Sequence, residues 1–120
     1  MADRLKTALV PVTGDPLDGE AVALACDLVK PAKGRVWVLY VIEIPRRLPL
    51  DAELAWQSTE GERVLQQMEL IGKQHKCRVE GEILQARTLA VAVIDEAVQR
   101  SADVIIASAS YEEHYGMPTL

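Results

Sequence analysis

The chain of 120 residues predicts an α/β fold, a parallel sheet with helices packed on it, and three features carry that reading. Short β-branched runs, too short for helices, alternate along the chain with longer stretches of helical periodicity. The first run, Ala8-Leu9-Val10-Pro11-Val12, stops at Thr13-Gly14 and passes directly into a helix start. The next run, Arg35 to Ile42, is again apolar on both faces, as parallel strands buried between helices are.

Each element follows from its own residues. Asp15-Pro16-Leu17-Asp18 offers an N-cap carboxylate, a proline suited to the first helical position and a second acid in the first turn. Ala21, Leu24, Ala25 and Leu28 then recur at helical spacing, and Pro31 with Gly34 ends a helix over roughly Pro16 to Lys30. Arg35-Val36-Trp37-Val38-Leu39-Tyr40-Val41-Ile42 is the second strand, which closes a right-handed crossover unit. Pro45 and Pro49 exclude regular pairing between Glu43 and Leu50, so that segment is a surface connection at the same end of the sheet as Thr13.

Asp51 can cap the stretch that follows, where Val64, Leu65, Met68 and Ile71 form an apolar stripe that fades at His75. Gly61 lies inside it, and the pattern fits one helix or two. Cys77 to Leu84 alternates, Cys77, Val79, Gly81 and Ile83 against Arg78, Glu80 and Glu82, which marks a half-exposed edge strand. Thr88 caps a third helix with Ala90, Val91, Ile94, Ala97 and Val98 on one side and Asp95, Glu96, Gln99 and Arg100 on the other. Asp103-Val104-Ile105-Ile106-Ala107 is the fourth strand.

Composition narrows the function classes. Half the residues are hydrophobic (49%) and 26% are charged, the balance of a single soluble globular domain spanning 1–120. No apolar run reaches the roughly 20 residues that cross a bilayer, and the first residues lack the apolar core of a signal peptide. A cytoplasmic protein with no membrane insertion is expected. The net charge of -5 argues against a nucleic-acid or anionic-membrane binder, which needs a positive field. Cys26 and Cys77 have no staple or metal spacing and read as small, buried or half-buried thiols.

Taken together, Leu9-Val10-Pro11-Val12 entering a small-residue turn, Val38-Leu39-Tyr40-Val41-Ile42-Glu43, and Ala102-Asp103-Val104-Ile105-Ile106 resemble the universal stress protein family over nearly the whole chain. The run from Val41 to Asp51 looks like a subgroup found fused to, or near, amino-acid permeases. The resemblance implies a three-layer, Rossmann-like fold of the adenine nucleotide alpha hydrolase-like kind. Its sheet would be parallel, in the order 3-2-1-4-5, with an adenine nucleotide site at the carboxyl ends of strands 1, 2 and 4, and the protein would be a homodimer. This chain would hold strands 3-2-1-4 and lack the fifth, as a C-terminally incomplete domain. Onto the family's pocket map Pro11, Thr13, Val41 and Ser108.

Departures from the pattern make that pocket degenerate. ATP-binding members carry an aspartate where Thr13 stands, and a hydroxyl cannot accept two hydrogen bonds as a carboxylate can. Their phosphate-binding glycines fall here on Ser108, on Tyr111 and one residue past Leu120. Glycine is needed where backbone approaches phosphate closely. Glu112 and Glu113 would each repel a triphosphate by on the order of 1 kcal/mol at a few ångströms. No cofactor is therefore expected in the family's ATP pose, with ATP or AMP as the alternative.

Other candidates are weaker. His75 and His114 lack metal-ligand spacing, Arg46-Arg47 reads as an exposed loop pair, and Trp37 as core. No Ser/His/Asp set, paired acids or phosphate-loop lysine supports catalysis. Three functions stay open: a non-enzymatic stress-protein domain acting by self-association and partner binding, an adenine-nucleotide switch, and an adenylating enzyme of the wider fold. The third needs a Ser-Gly-Gly-type loop where Thr13-Gly14-Asp15-Pro16 stands, and the first is the reading the residues favour.

Overall fold

The computed structural model describes residues 4–108. The chain runs β1 (Thr7–Val12), α1 (Asp18–Val29), a short 3-10 turn (Lys30–Ala32), β2 (Arg35–Glu43), α2 (Ala55–Gln74), β3 (Arg78–Ala86), α3 (Leu89–Gln99) and β4 (Val104–Ile105). The four strands form one parallel sheet in the order β3-β2-β1-β4, the expected doubly wound arrangement. Thr7 pairs with Arg35 and Val12 with Tyr40, while Arg35 pairs with Arg78 and Glu43 with Ala86. The edge position of β3 agrees with its alternating sequence. Among the described residues β4 is shorter than its apolar run predicts, pairing with β1 only at Val104 and Ile105.

Strand alternation divides the core into two layers. Ala8, Val10 and Val12 of β1 and Val36 and Val38 of β2 face α1 and α2, where they meet Val22, Ala25 and Val29 and also Val64, Leu65 and Met68. Leu9 and Leu39 face the other way and pack with Val93 of α3, flanked by Trp37, Val41 and Leu84. Pro11 is fully buried near the end of a central strand, a place that normally excludes proline. It is tolerated because Thr7 and Leu9 point their carbonyls toward β4, where Asp103 and Ile106 donate to them. By alternation Pro11 turns its missing N–H to the same side, one step beyond Leu9. Asp103 also accepts from the amides of Lys6 (2.8 Å) and Thr7 (3.0 Å), and those bonds hold its carboxyl below the usual carboxylate value.

Helix faces differ from the expected ones in two places. In α1 the buried residues are Ala21, Val22, Ala25, Cys26 and Val29, whereas Leu24 and Leu28 are exposed. Small and β-branched side chains let α1 lie close to the sheet, and the larger leucines are left outside. In α3 the inner face is Leu89, Ala92, Val93 and Glu96, and Val91, Ile94 and Val98 point outward. The reason lies on the sheet. Glu82 of β3 faces α3 and binds Arg100, whose Nε also donates to Glu96 Oε1 (2.9 Å) while its guanidinium stacks 3.8 Å above the Trp37 ring. A charged, stacked cluster with a strong cation–π component thus draws Glu96 inward beside Leu89, Ala92 and Val93, while Asp95 and Gln99 stay exposed.

The stretch between β2 and β3 holds a single helix. Gly61 does not interrupt it. A Cβ there would lie 2.8 Å from Cδ1 of Tyr40, so glycine is what lets α2 settle on the ring. Leu54, not Asp51, occupies the N-cap, and Asp51 lies back in the connection. That connection is tied down by Gln85, whose amide donates to the carbonyls of Leu50 (2.8 Å) and Ala52 (2.9 Å), and by Arg87, which donates to Pro45 (2.6 Å) and Leu48 (2.7 Å). Arg46 and Arg47 are exposed, as their loop position predicts. Thr88 precedes α3 at the expected place, without a side-chain cap bond.

The revised α1 face gives a direct test. Val22→Ala should lower stability in urea denaturation by about 2 kcal/mol, through lost burial and a residual cavity. Leu24→Gln should stay within about 0.5 kcal/mol of wild type. The reverse order would restore the leucine face.

Candidate functional site

The carboxyl end of the sheet is where an open α/β fold receives ligands, beside the strand at which the order reverses. Here that strand is β1, flanked by β2 and β4. Pro11 is buried on the α3 side, and Val41 is half-buried in the same layer. Thr13 follows directly on the Val12–Tyr40 pair and is exposed, and Ser108, just past β4, is buried. The strand ends therefore bring all four positions to one end of the sheet. Tyr111, Glu112, Glu113 and His114 lie outside the described residues.

The turn leaving β1 carries the feature that periodicity did not reveal. Gly14 has φ +95°, a conformation that glycine adopts without steric cost and that lets the chain reverse from strand to helix. The amides of Thr13 and Gly14 both donate to Oδ2 of Asp18, at 3.1 and 2.8 Å. Asp15, expected as the N-cap, instead stabilises the entry turn. Its Oδ1 accepts from the Leu17 N–H (2.8 Å) and its carbonyl from the Asp18 N–H (3.0 Å), while Leu17 holds the N-cap position. Sequence marked Asp18 only as a first-turn acid; an acid four residues after the turn glycine is the signal that could have found it.

Asp18 is only 1% exposed, and its Oδ1 has no hydrogen-bond partner among the described residues. Burial raises its pKa above the ordinary 3.8, the neighbouring charge of Asp15 adds to that, and the amides of Gly14 and Thr13 oppose it. Beside it, between α1 and α2, lies a cleft of about 330 Å³ lined by Gly14, Asp18, Gly19, Arg63, Gln67 and Met68. Arg63 is bound at 2.6 Å to Glu60, whose carboxyl is held below its usual value by that bond. Val12 and Val64 face this side of the sheet, whereas Val41 packs on the other. No group of three or more His, Cys, Asp or Glu residues among those described is arranged to hold a metal ion.

Comparison with known proteins places this geometry. The model of the universal stress protein family matches residues 4–117. A universal stress protein family structure from Burkholderia pseudomallei superposes with a TM-score of 0.72 at 18% identity, covering 100% of this chain and 97% of the other. One from Archaeoglobus fulgidus, in complex with dAMP, gives 0.75 at 14% identity, covering 90% of this chain and 84% of that one. A universal stress protein in complex with cAMP gives 0.68 at 12% identity, with 86% and 72% covered. At these identities the likeness is one of fold. No curated protein matches the chain.

The buried carboxyl makes stability depend on pH in a definite direction. Because the folded pKa of Asp18 lies above its unfolded value, the folded state binds the proton more tightly, and the slope of stability with pH is negative between the two. The stability of wild type relative to Asp18→Asn should thus be greatest below pH 3.8 and fall as pH rises through the folded value. Urea midpoints of both proteins, taken from acid to neutral pH, measure this; parallel profiles would contradict it.

Proposed function

The chain belongs to the universal stress protein family, and from that premise we propose that it is a non-enzymatic domain acting in stress response or regulation by self-association and partner binding, its nucleotide pocket degenerate toward ATP. The observation that carries this reading is the β1–α1 turn. Its amides at Thr13 and Gly14 are the donors an incoming anion would use before a helix start, and Asp18 already takes both. Two acids, Asp15 and Asp18, also oppose the positive end of α1, so the turn repels phosphate rather than cradling it. Thr13 adds a single hydroxyl where a nucleoside-holding carboxylate would accept twice.

Association has support in the outer face of α3, where Val91, Ile94 and Val98 lie exposed. Exposed apolar side chains grouped in this way mark contact surfaces. In this reading the protein is a cytoplasmic homodimer, and the resemblance of the run from Val41 to Asp51 to the permease-associated branch makes a permease a partner to test.

A second reading has its own observation. Two similar structures are complexes with cAMP and dAMP, ligands with a single phosphate. Half-buried Val41 offers an apolar contact for a flat base, and one phosphate needs fewer amides than three. Calorimetry with ATP and magnesium, AMP and cyclic AMP separates the readings. The degenerate pocket predicts no magnesium-dependent heat with ATP. Binding of AMP or cyclic AMP at least tenfold tighter than ATP, about 1.4 kcal/mol, would favour the second. Tight, magnesium-dependent ATP binding would overturn both.

A further inference from the structure

The two cysteines, distant in sequence, meet at the amino end of the sheet, away from the turn at Thr13. Cys26 of α1 is only 1% exposed and belongs to the core layer beneath α1 and α2. Cys77, the residue before β3, is half-buried and packs against that same layer, within hydrogen-bonding reach of the Cys26 thiol. Left-handed backbone at Lys33 (φ 53°) and Lys76 (φ 54°) folds two tight turns beside it. Those turns and the end of α1 enclose a pocket of about 280 Å³ whose lining carries Lys30, Lys33, Lys76 and Arg78 around Cys77, and no acid.

A half-exposed thiol in a cationic pocket, with a second thiol behind it, is the arrangement that thiol–disulfide exchange requires. We propose that Cys77 and Cys26 form a disulfide by exchange with a small anionic disulfide bound among these cations. The Cys77 thiolate attacks one sulfur of the ligand, forming a mixed disulfide and expelling the first thiolate. Cys26 then loses its proton and attacks the Cys77 sulfur. The Cys26–Cys77 bond forms as the second thiolate leaves. Two electrons pass from the protein to the small disulfide, which departs as two thiols carrying the two protons. The order is set by burial and by the neighbouring thiol, which push the Cys26 pKa up to about 12 and leave Cys77 to react first. Once Cys77 is in a disulfide, its charge no longer opposes ionisation of Cys26.

Mass spectrometry of the intact, reduced chain after incubation with glutathione disulfide tests this. Wild type should lose both free thiols and become lighter by two hydrogens. Cys26→Ala should stop at a glutathione adduct on Cys77, and Cys77→Ala should do neither. Replacing Lys30→Gln, Lys33→Asn and Lys76→Asn together should slow the exchange about tenfold, while reaction with the uncharged hydroxyethyl disulfide keeps its rate. The asparagines tolerate the left-handed positions. Wild type that keeps both thiols, a lasting adduct on wild type, modification of Cys26 first, or equal slowing with the charged and uncharged reagents would each overturn the proposal.

Discussion

The carboxylate of Asp18, bonded to the amides of Thr13 and Gly14, holds the joint on which the rest of the fold turns. A central parallel strand must end, reverse and return as a helix, and at that corner two backbone donors leave the sheet with no strand to pair with. Thr13 and Gly14 are exposed, so water is their alternative partner. A buried acid instead ties both donors to the first turn of the helix and introduces a cost, its own desolvation, visible in the raised pKa and in an Oδ1 with no partner among the described residues. Gly14 makes the geometry accessible and Asp15 closes the following turn. The same bonds determine what the corner can do, since amides committed to an internal anion are withdrawn from an external one.

The two faces of the sheet are built on different principles. Beneath α1 and α2 the layer is aliphatic, and close approach depends on small residues such as Ala21, Ala25 and Gly61. Beneath α3 an aliphatic centre around Leu9, Leu39 and Val93 gives way toward β3 to Trp37, Arg100, Glu82 and Glu96, a satisfied polar network at the sheet edge. Pro11 sits where the second layer meets the end of the β1–β4 ladder, so the sheet begins to part at the end where the family's ligands are expected.

The strands were legible because buried parallel strands are written as uninterrupted apolar runs, the alternation from Cys77 to Leu84 identified the edge, and the strand order was what the family resemblance implied. Helix faces were harder to read. In α1 both a leucine face and a valine–cysteine face fit the period, and only the tight packing on the sheet selects the second. In α3 the apolar stripe suggested the inner side, yet the helix is rotated so that Glu96 and Arg100 meet Glu82 of a distant strand, and of the expected stripe Ala97 still packs on the core. Gly61 left the choice between one helix and two open until the Tyr40 ring supplied its reason. Among the site positions, Pro11, Thr13, Val41 and Ser108 converge because strand ends are predictable from strands. The hold of Asp18 on the turn was not legible, because spacing locates a carboxyl without saying which amides it reaches. The meeting of Cys26 with Cys77 was hidden for the same reason.

Nuclear magnetic resonance of the labelled protein tests the hold of Asp18 most directly, through amide exchange at Thr13 and Gly14 and the carboxyl shift of Asp18 as pH is varied. The account predicts that both amides are protected although Thr13 is exposed, that the carboxyl titrates above 3.8, and that neither changes when ATP and magnesium are added. Amides that exchange at open-loop rates, or that shift with ATP while the Asp18 carboxyl is displaced, would contradict it.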